Sequence, residues 1–478
     1  MNTITTVDPK RPANKKRPTN KKQPTNKKQP ANKKQRRPAR PIIKSAVGLY
    51  QFSPDSVVRP FTEQGIAHTV KSASDHGLRV RAIGALHSAV PLPATEGVCI
   101  ALDRYNKVLN ITGNLVTVQS GIRLWELNDA LAFHGLALPT LGTIALQSVA
   151  GAISTGTHGG SLRHPSLSGY VEAMRIVRAD GSVVEITKGE REFEGCAIAL
   201  GLLGIISTVT FRCVPAFSLR SDVNVLPMDE LFQQFDRIHT QNEYVDMRYS
   251  PITDRMHVAL INRSAEDLDN GGWTPATPNR VTHAFTDWVN KSAQRLFLTH
   301  RVNRLQKWGI ERYEKSIYTG AYGRSDFVLT HFDATSTDLL SNEQRENLDP
   351  VADMEVAISY EQACDALMAL RNHFRTTQRF PCMHVHLRTQ AADSFWLSPT
   401  QKKNICWFEF WEYPCTGEFF REMMNVLAPY SPRGHWGKQL PGEPKPLYAQ
   451  WDEFAELRQS WDPSGTFSND YLDRYFKQ

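Results

Sequence analysis

The chain lacks most of what would place it in a membrane or outside a cell. Its basic start is not followed by an apolar run within the first 40 residues, so no secretory signal is expected. The acid-poor start suits a transit peptide, but its prolines oppose the amphipathic helix such a peptide needs. The longest uncharged, largely apolar run, Gly195–Phe211, is short for a spanning helix and broken by glycine, so it reads as buried core with no transmembrane segment. Seven cysteines, scattered and odd in number, read as reduced thiols rather than a disulfide framework, and the expected location is cytoplasmic. The Gly-x-Gly-x-x-Gly fingerprint of dehydrogenase-type nucleotide sites is also missing.

Acid is scarce in one place only. Residues 1–41 hold fourteen Lys or Arg against one Asp, a net of +13, so the rest of a chain with formal charge +7 carries −6. Within that tail a six-residue unit of the form Arg/Gln-Pro-Ala/Thr-Asn-Lys-Lys recurs four times over residues 11–34. Regular proline and the lack of apolar residues predict an extended, disordered segment. A tail of this kind suits an anionic partner, nucleic acid or a membrane surface, and equally a solvated leader without a partner.

Residues 139–160 are rich in what a ligand-binding loop needs. Pro-Thr-Leu-Gly-Thr-Ile-Ala-Leu-Gln-Ser-Val-Ala-Gly-Ala-Ile-Ser-Thr-Gly-Thr-His-Gly-Gly mixes glycines with the hydroxyls of Ser148, Ser154, Thr155 and Thr157, so amides and hydroxyls can approach an anion closely. A short helix beginning near Gln147 would add its unpaired first amides. The same composition also suits a plain tight turn. Upstream lies Arg81-Ala82-Ile83-Gly84-Ala85-Leu86-His87-Ser88.

Together these two segments resemble the vanillyl-alcohol-oxidase-type flavoproteins, in the branch of aldonolactone, gulonolactone and alditol oxidases. The resemblance implies FAD as cofactor, its pyrophosphate wrapped by the loop Arg81, Ile83, Gly84, Ala85, Leu86, His87 and Ser88, with His87 at the position often bonded covalently to the flavin 8α-methyl. Leu86 stands where the family has glycine. In the second loop the resemblance implies FAD contacts from Gly142, Thr143, Ser148, Gly151, Ala152, Ser154, Thr155, Gly156 and His158. No cysteine lies in residues 139–160, so the second tether of the berberine-bridge branch is not expected. Ile205 and Ile206 fall in a segment resembling one that meets the adenine side of FAD.

The expected fold class is α+β: a two-part FAD-binding domain over 42–217, a substrate-binding cap over 218–439, and a segment 440–478 returning to the FAD domain. Within the first part the pattern gives a strand Leu115–Ser120, a helix Arg123–His134 with Leu124, Leu127 and Leu131 on one face, a hairpin around Asp180-Gly181, a helix Phe193–Leu200 and a strand Ser207–Cys213. The cap is looser, with helices Met228–Thr240 and Tyr360–Thr377 and a strand Met354–Ser359.

The reacting residues are expected near the C-terminal third. Strict alternation in His384-Val385-His386-Leu387-Arg388 puts His384, His386 and Arg388 on one strand face. The related oxidases carry Glu-x-Arg there, so Arg388 matches the arginine and His386 replaces the acid. Two histidines so spaced could also ligate zinc, but no third ligand is evident and no metal is expected. In Cys406-Trp407-Phe408-Glu409-Phe410-Trp411 the indoles could wall a sugar ring, with Glu409 as hydroxyl acceptor, or form a structural cluster. His435 and Lys438 match a His-Trp-x-Lys signature near the flavin pyrimidine. The reading is oxidation of a CH–OH group of a sugar lactone or polyol, with hydride passing to flavin N5, His386 as base, Arg388 polarising the substrate oxygen, and molecular oxygen reduced to hydrogen peroxide. Gly142, without a side chain, leaves oxygen a path. A dehydrogenase of the same fold, and an inactive flavin-fold factor working through its tail, are the alternatives.

Overall fold

The computed structural model describes residues 40–265, 320–330, 351–382, 384–440 and 442–476. The basic tail expected over 1–41 falls, up to residue 39, outside the described residues.

Strands Ser56–Val58, Val98–Ala101 and Val80–Ile83 form a three-stranded parallel sheet in that spatial order. Parallel pairing needs a crossover, and helix Glu63–Asp75 supplies it, capped by the Thr62 hydroxyl, which accepts from the Gly65 amide at 3.1 Å. Ile66, Val70 and Ala73 recur at helical spacing and pack with Val80, Val98 and Ile100.

A five-stranded antiparallel sheet follows, in the order Val183–Thr187, Val171–Val177, Ile205–Arg212, Leu115–Gln119 and Val108–Thr112. The first two are the hairpin expected around Asp180-Gly181; Gly181 takes φ +79° and the Asp180 carboxylate accepts from the Ser182 amide at 2.9 Å. Helix Leu124–Phe133 buries Leu124, Leu127 and Leu131, and the chain leaves it through Gly135 at φ +67°. The helix expected over Phe193–Leu200 is instead Arg191–Cys196. Leu200 at φ +56° and Gly201 at +70° are left-handed, which a continuing right-handed helix cannot contain.

The segment after Phe217 departs most from expectation. It builds an eight-stranded antiparallel sheet in the order Ala321–Arg324, Ser218–Pro227, Arg255–Ser264, Tyr244–Ser250, Val385–Gln390, Ile405–Glu412, Ala352–Ser359 and Arg433–Gly434. Helices Met228–Gln241, Ala363–Thr377 and Glu418–Leu427 cover one face, where Val245, Met247, Val356, Val385, Leu387, Phe408 and Phe410 join their apolar stripes. Strand alternation then turns Asp246, Arg248, Glu355, His386, Arg388 and Glu409 to the opposite face, yet each of them is buried. A buried polar face must be internally paired.

The C-terminal segment closes over the N-terminal sheet. The Val80 amide donates to Thr466 O at 2.7 Å, and the Asn469 side-chain amide donates to the carbonyls of Pro91, Leu92 and Ala94. Arg81 lies beneath, its guanidinium donating to Leu200 O (2.7 Å), Gly201 O (3.0 Å) and Phe467 O (2.6 Å). Burial lowers its pKa to about 10. Arg81 thus fastens three chain segments through its side chain. Arg81→Met should orphan three carbonyls and cost about 3 kcal/mol or more in stability; urea denaturation with an unchanged midpoint would show that these bonds contribute nothing.

Candidate functional site

Three loops converge beside the polar face of the large sheet. In the first, Leu86 takes φ +59°, the left-handed conformation that glycine usually fills, and its carbonyl accepts from the Ala46 amide at 2.9 Å. The backbone path is therefore one that glycine would follow, with a leucine side chain carried on it. Gly84 is required for a different reason: a Cβ there would overlap the Ser148 hydroxyl of the second loop. The third loop joins through the Ala89 amide, which donates to Gly437 O at 2.8 Å, and a Cβ on Gly437 would lie 3.7 Å from Thr155 Cβ.

The helix in the second loop starts at Val149, later than expected, and runs only to Ser154. Its first two amides are already engaged, Val149 N to Ile122 O (2.9 Å) and Ala150 N to Ser120 O (3.0 Å). A phosphate cradle therefore cannot rest on those helix-end amides. Ser148 occupies the N-cap position, but its buried hydroxyl makes no capping bond and faces the Gly84 loop instead. Thr155 Oγ1 donates to Gly151 O, and Gly156 turns the chain at φ +75°; Ala152 and the Ser154 carbonyl, which accepts from the Leu200 amide, belong to the helix packing. Ile205 and Ile206 are buried at the start of their strand.

Beyond Gly156 the second loop crosses onto the large sheet. The Val245 amide donates to Gly160 O and the Ser161 amide to Thr389 O, both at 2.7 Å. His158 stacks on Trp407 with ring centroids 4.4 Å apart and planes 8° apart. Its Nε2 is 3.5 Å from Glu355 Oε1, and Arg388 donates to that same oxygen at 2.7 Å. The glycine-rich loop and the Arg388 strand are thus in contact.

One network of charges covers this face. Glu355 binds Arg388, and its second oxygen lies 3.0 Å from Lys438 Nζ. Lys438 also meets Asp353 at 3.3 Å and donates to Glu409. His386 stands between two carboxylates, Nε2 at 2.6 Å from Asp246 Oδ2 and Nδ1 at 2.9 Å from Glu409 Oε2. Arg248 Nε donates to Asp246 Oδ1 at 3.2 Å.

Burial alone would push the Glu355 carboxyl up, but Lys438 and Arg388 hold it well below the usual carboxylate range. Asp246 behaves alike: burial is outweighed by His386 and Arg248, and its pKa falls below the ordinary value. Burial pushes His386 below its usual value against the pull of Asp246. With Asp246 ionised, Nε2–H donates to it, and Nδ1 faces Glu409. His386 is thus held between two carboxylates, Asp246 at Nε2 and Glu409 at Nδ1.

Of the residues expected here, His386, Arg388, Glu409 and Lys438 share this network, and His158 and His435 adjoin it, with ring centroids 5.7 Å apart. Trp407 does not wall an open cleft; it is buried under His158, and its indole donates to Gln390 at 2.8 Å. Arg81, expected on the pyrophosphate, has its terminal nitrogens on backbone carbonyls. Asp246, Asp353 and Glu355 were missed. Their signal was the same alternation that marked His386, in Val245-Asp246-Met247-Arg248-Tyr249, where interleaved charges disguised a buried strand, and in Asp353-Met354-Glu355-Val356, where the strand was expected from Met354 on but the role of its acids was not.

Among the described residues, His158, Glu355 and His435 form the one group of three with donors close enough for a metal, within 4.8 Å. Glu355 already faces Arg388 and Lys438, so a dication would be its third positive neighbour. The donor set suits a flavin better: flat rings at His158 and His435, a cation at Lys438, and the hydroxyl of Ser148, which Gly84 lets approach the first loop.

Residues 54–187 match the family model of an FAD binding domain, and residues 209–475 match that of D-arabinono-1,4-lactone oxidase. L-gulono-1,4-lactone dehydrogenase of Mycobacterium tuberculosis is 28% identical over 444 residues, covering 91% of this chain and 99% of its own. Alditol oxidase of a Streptomyces species is 29% identical, covering 89% and 96%, and mouse L-gulonolactone oxidase 26%, covering 89% and 96%. Cholesterol oxidase of Brevibacterium sterolicum has a similar fold, with TM-score 0.74 at 16% identity over 92% of this chain and 97% of that one. Fold and site together define a vanillyl-alcohol-oxidase-type flavoprotein oxidoreductase with FAD as cofactor. The chain belongs to the D-arabinono-1,4-lactone oxidase family. Among the described residues no helix is long and apolar enough to cross a membrane.

Burial, opposed by Glu355, lowers the His158 pKa to about 4, so the folded protein keeps this imidazole neutral while the unfolded chain takes up a proton near pH 6.5. The stability this represents is present above pH 6.5, declines as pH falls, and is gone below about pH 4. Between pH 7 and 5 the loss should be about 2 kcal/mol. His158→Phe, which keeps the stacked ring, should shrink the difference between denaturation free energies at the two pH values by that amount; an equal difference in both proteins would contradict the assignment.

Proposed function

We infer that this FAD-dependent enzyme oxidises a CH–OH group of a sugar lactone or related sugar alcohol and passes the electrons to molecular oxygen, forming hydrogen peroxide. The observation that supports the reading best is the contact between the glycine-rich loop and the Arg388 strand, which sets the flavin-binding segments against a buried face of paired acids and bases. FAD would be held by the Gly84–Ser88 loop, with Ser88 and His87 contributing and His87 as the covalent tether, and by Thr143, Ser148, Thr155, His158 and His435. When bound, FAD supplies the hydride acceptor, its N5 taking hydride from the substrate carbon.

The protein residues handle the proton and the charge. The substrate hydroxyl proton enters the chain centred on His386, whose ring nitrogens both already face carboxylates, so a proton arriving at one end can be passed along it. Arg388 polarises the substrate oxygen, and Lys438 stabilises negative charge on the pyrimidine side of the cofactor. Glu355 and Glu409 hold Arg388 and Lys438 in place. At Gly142 a Cβ would sit 2.7 Å from the Thr157 methyl, so a side chain there would have to displace Thr157 or the loop itself. The name of the mycobacterial relative favours the second reading, a dehydrogenase with another acceptor.

Acid precipitation of purified protein should leave yellow colour in the pellet; colour released to the supernatant would refute a His87 bond. With an aldonolactone in air the enzyme should form peroxide in proportion to product. Gly142→Ala should slow reoxidation by oxygen about ten-fold, equivalent to about 1.4 kcal/mol in the barrier, with little change in anaerobic bleaching by substrate. Bleaching without peroxide in the unaltered enzyme would establish the dehydrogenase reading instead.

A further inference from the structure

Exposure rises along the charged face of the large sheet. The side chains of Asp246, His386, Glu409 and Glu355 are at most 9% exposed, Lys438 reaches 16% and Asp353 24%. The last two sit together because the amides of His435 and Gln439 donate to the carbonyls of Glu355 (2.8 Å) and Asp353 (3.0 Å), which lays the last loop along that strand. Asp353 and Glu355 are two residues apart on one face, so Lys438 is held over both. Its ammonium has three N–H donors and three carboxylates within reach: Glu409, Glu355 at 3.0 Å and Asp353 at 3.3 Å. Glu409 and Glu355 belong to the buried network and already give Lys438 two anionic neighbours. Asp353 differs, since among the described residues its carboxylate pairs with Lys438 alone. As a counter-ion it is surplus.

Oxidation of a CH–OH group creates a need that Asp353 can meet. Each turnover sets free one hydroxyl proton among buried groups, and a proton left there would neutralise a carboxylate that holds Arg388 or Lys438. A continuous path leads away from it. His386 Nδ1 lies 2.9 Å from Glu409 Oε2, Glu409 Oε1 accepts from Lys438 Nζ, and Lys438 Nζ reaches Asp353 Oδ2.

We propose that Asp353 is the proton exit of this enzyme, the group through which the proton of each oxidised hydroxyl passes from the buried His386 chain to solvent. This rests on the function inferred above. The substrate O–H bond breaks, and uptake of its proton makes His386 an imidazolium whose Nδ1–H faces Glu409. Glu409 takes that proton and returns it to Lys438 as Lys438 gives one of its own to Asp353, which loses it to water. The C–H pair leaves as hydride to FAD, the carbon becomes a carbonyl, and every protein group ends as it began. Lys438 stays a cation before and after, so Glu355 keeps its partner and Arg388 its anchor. Asp353 needs no contact with the substrate; it acts through Lys438.

The test is Asp353→Asn in the FAD-loaded enzyme, mixed without oxygen with an aldono-1,4-lactone in weak buffer while flavin bleaching and a pH-indicator dye are followed together. In the unaltered enzyme the two signals should coincide. In Asp353→Asn bleaching should slow about ten-fold, less than for loss of a group that takes the proton directly, with KM changed less than about two-fold. The dye should lag behind the bleaching, and added acetate, a carboxylate free to diffuse to the gap, should restore most of the rate. Asp353→Glu should behave like the unaltered enzyme. Loss of a residue that only holds Lys438 would neither separate the two signals nor respond to acetate. Coincident signals within about two-fold of the unaltered rate would overturn the proposal, and so would a slow variant that acetate does not rescue. If Asp353→Asn does not fold, bleaching of the unaltered enzyme in mixtures of light and heavy water decides: a curved dependence on the deuterium fraction, the mark of several protons in flight, supports the exit, and a straight line refutes it. An unaltered enzyme that neither lactone nor alditol bleaches refutes the function above and the exit with it, whereas normal bleaching and proton release without the Asp353 carboxylate refute the exit alone.

Discussion

The architecture depends on keeping a charged sheet face dry. Strand alternation is indifferent to chemistry: once one face of the large sheet packs on its three helices, the other face receives whatever residues fall at the intervening positions. Here those are acids, arginines and histidines, and burying them is tolerable only because they satisfy one another. Glu355 is central, since its two oxygens meet Arg388, Lys438 and His158, which come from the strand two places along the sheet, the last loop and the glycine-rich loop. Removing that carboxylate would leave two cations in a low-dielectric setting with fewer anions to hold them.

The same pairing joins the two halves of the molecule. His158 belongs to the loop that meets the Gly84 segment, yet its ring rests on Trp407 and its Nε2 faces Glu355. The glycine-rich loop and the sheet are therefore registered by a stacked ring and an acid as well as by the backbone bonds at Gly160 and Ser161. Close approach adds precision at Gly84, where only a missing side chain lets Ser148 come near.

Much of this was legible in the sequence, for identifiable reasons. Helix Leu124–Phe133, the hairpin at Gly181 and the strand bearing His386 and Arg388 followed from periodicity and turn chemistry, which act locally. The loops at 81–88 and 139–160 were singled out through resemblance, and the structure packs them on each other at Gly84 and Ser148 and brings the second to the sheet at Gly160. Strands such as Tyr244–Ser250 were not legible, because Asp246 and Arg248 look like solvent-facing residues until the partners that bury them are known. The role of Arg81 was obscured likewise: its carbonyl acceptors are more than a hundred residues away in sequence.

The position of His386 between two carboxylates limits what can replace it. Glutamate at position 386 would set three acidic groups in a row, with Asp246 and Glu409 on either side and no imidazole to separate them. Changing Asp246 alone would strand an imidazole against a single acid. The two positions act through one imidazole, so a change at either is felt by the carboxylate on its far side.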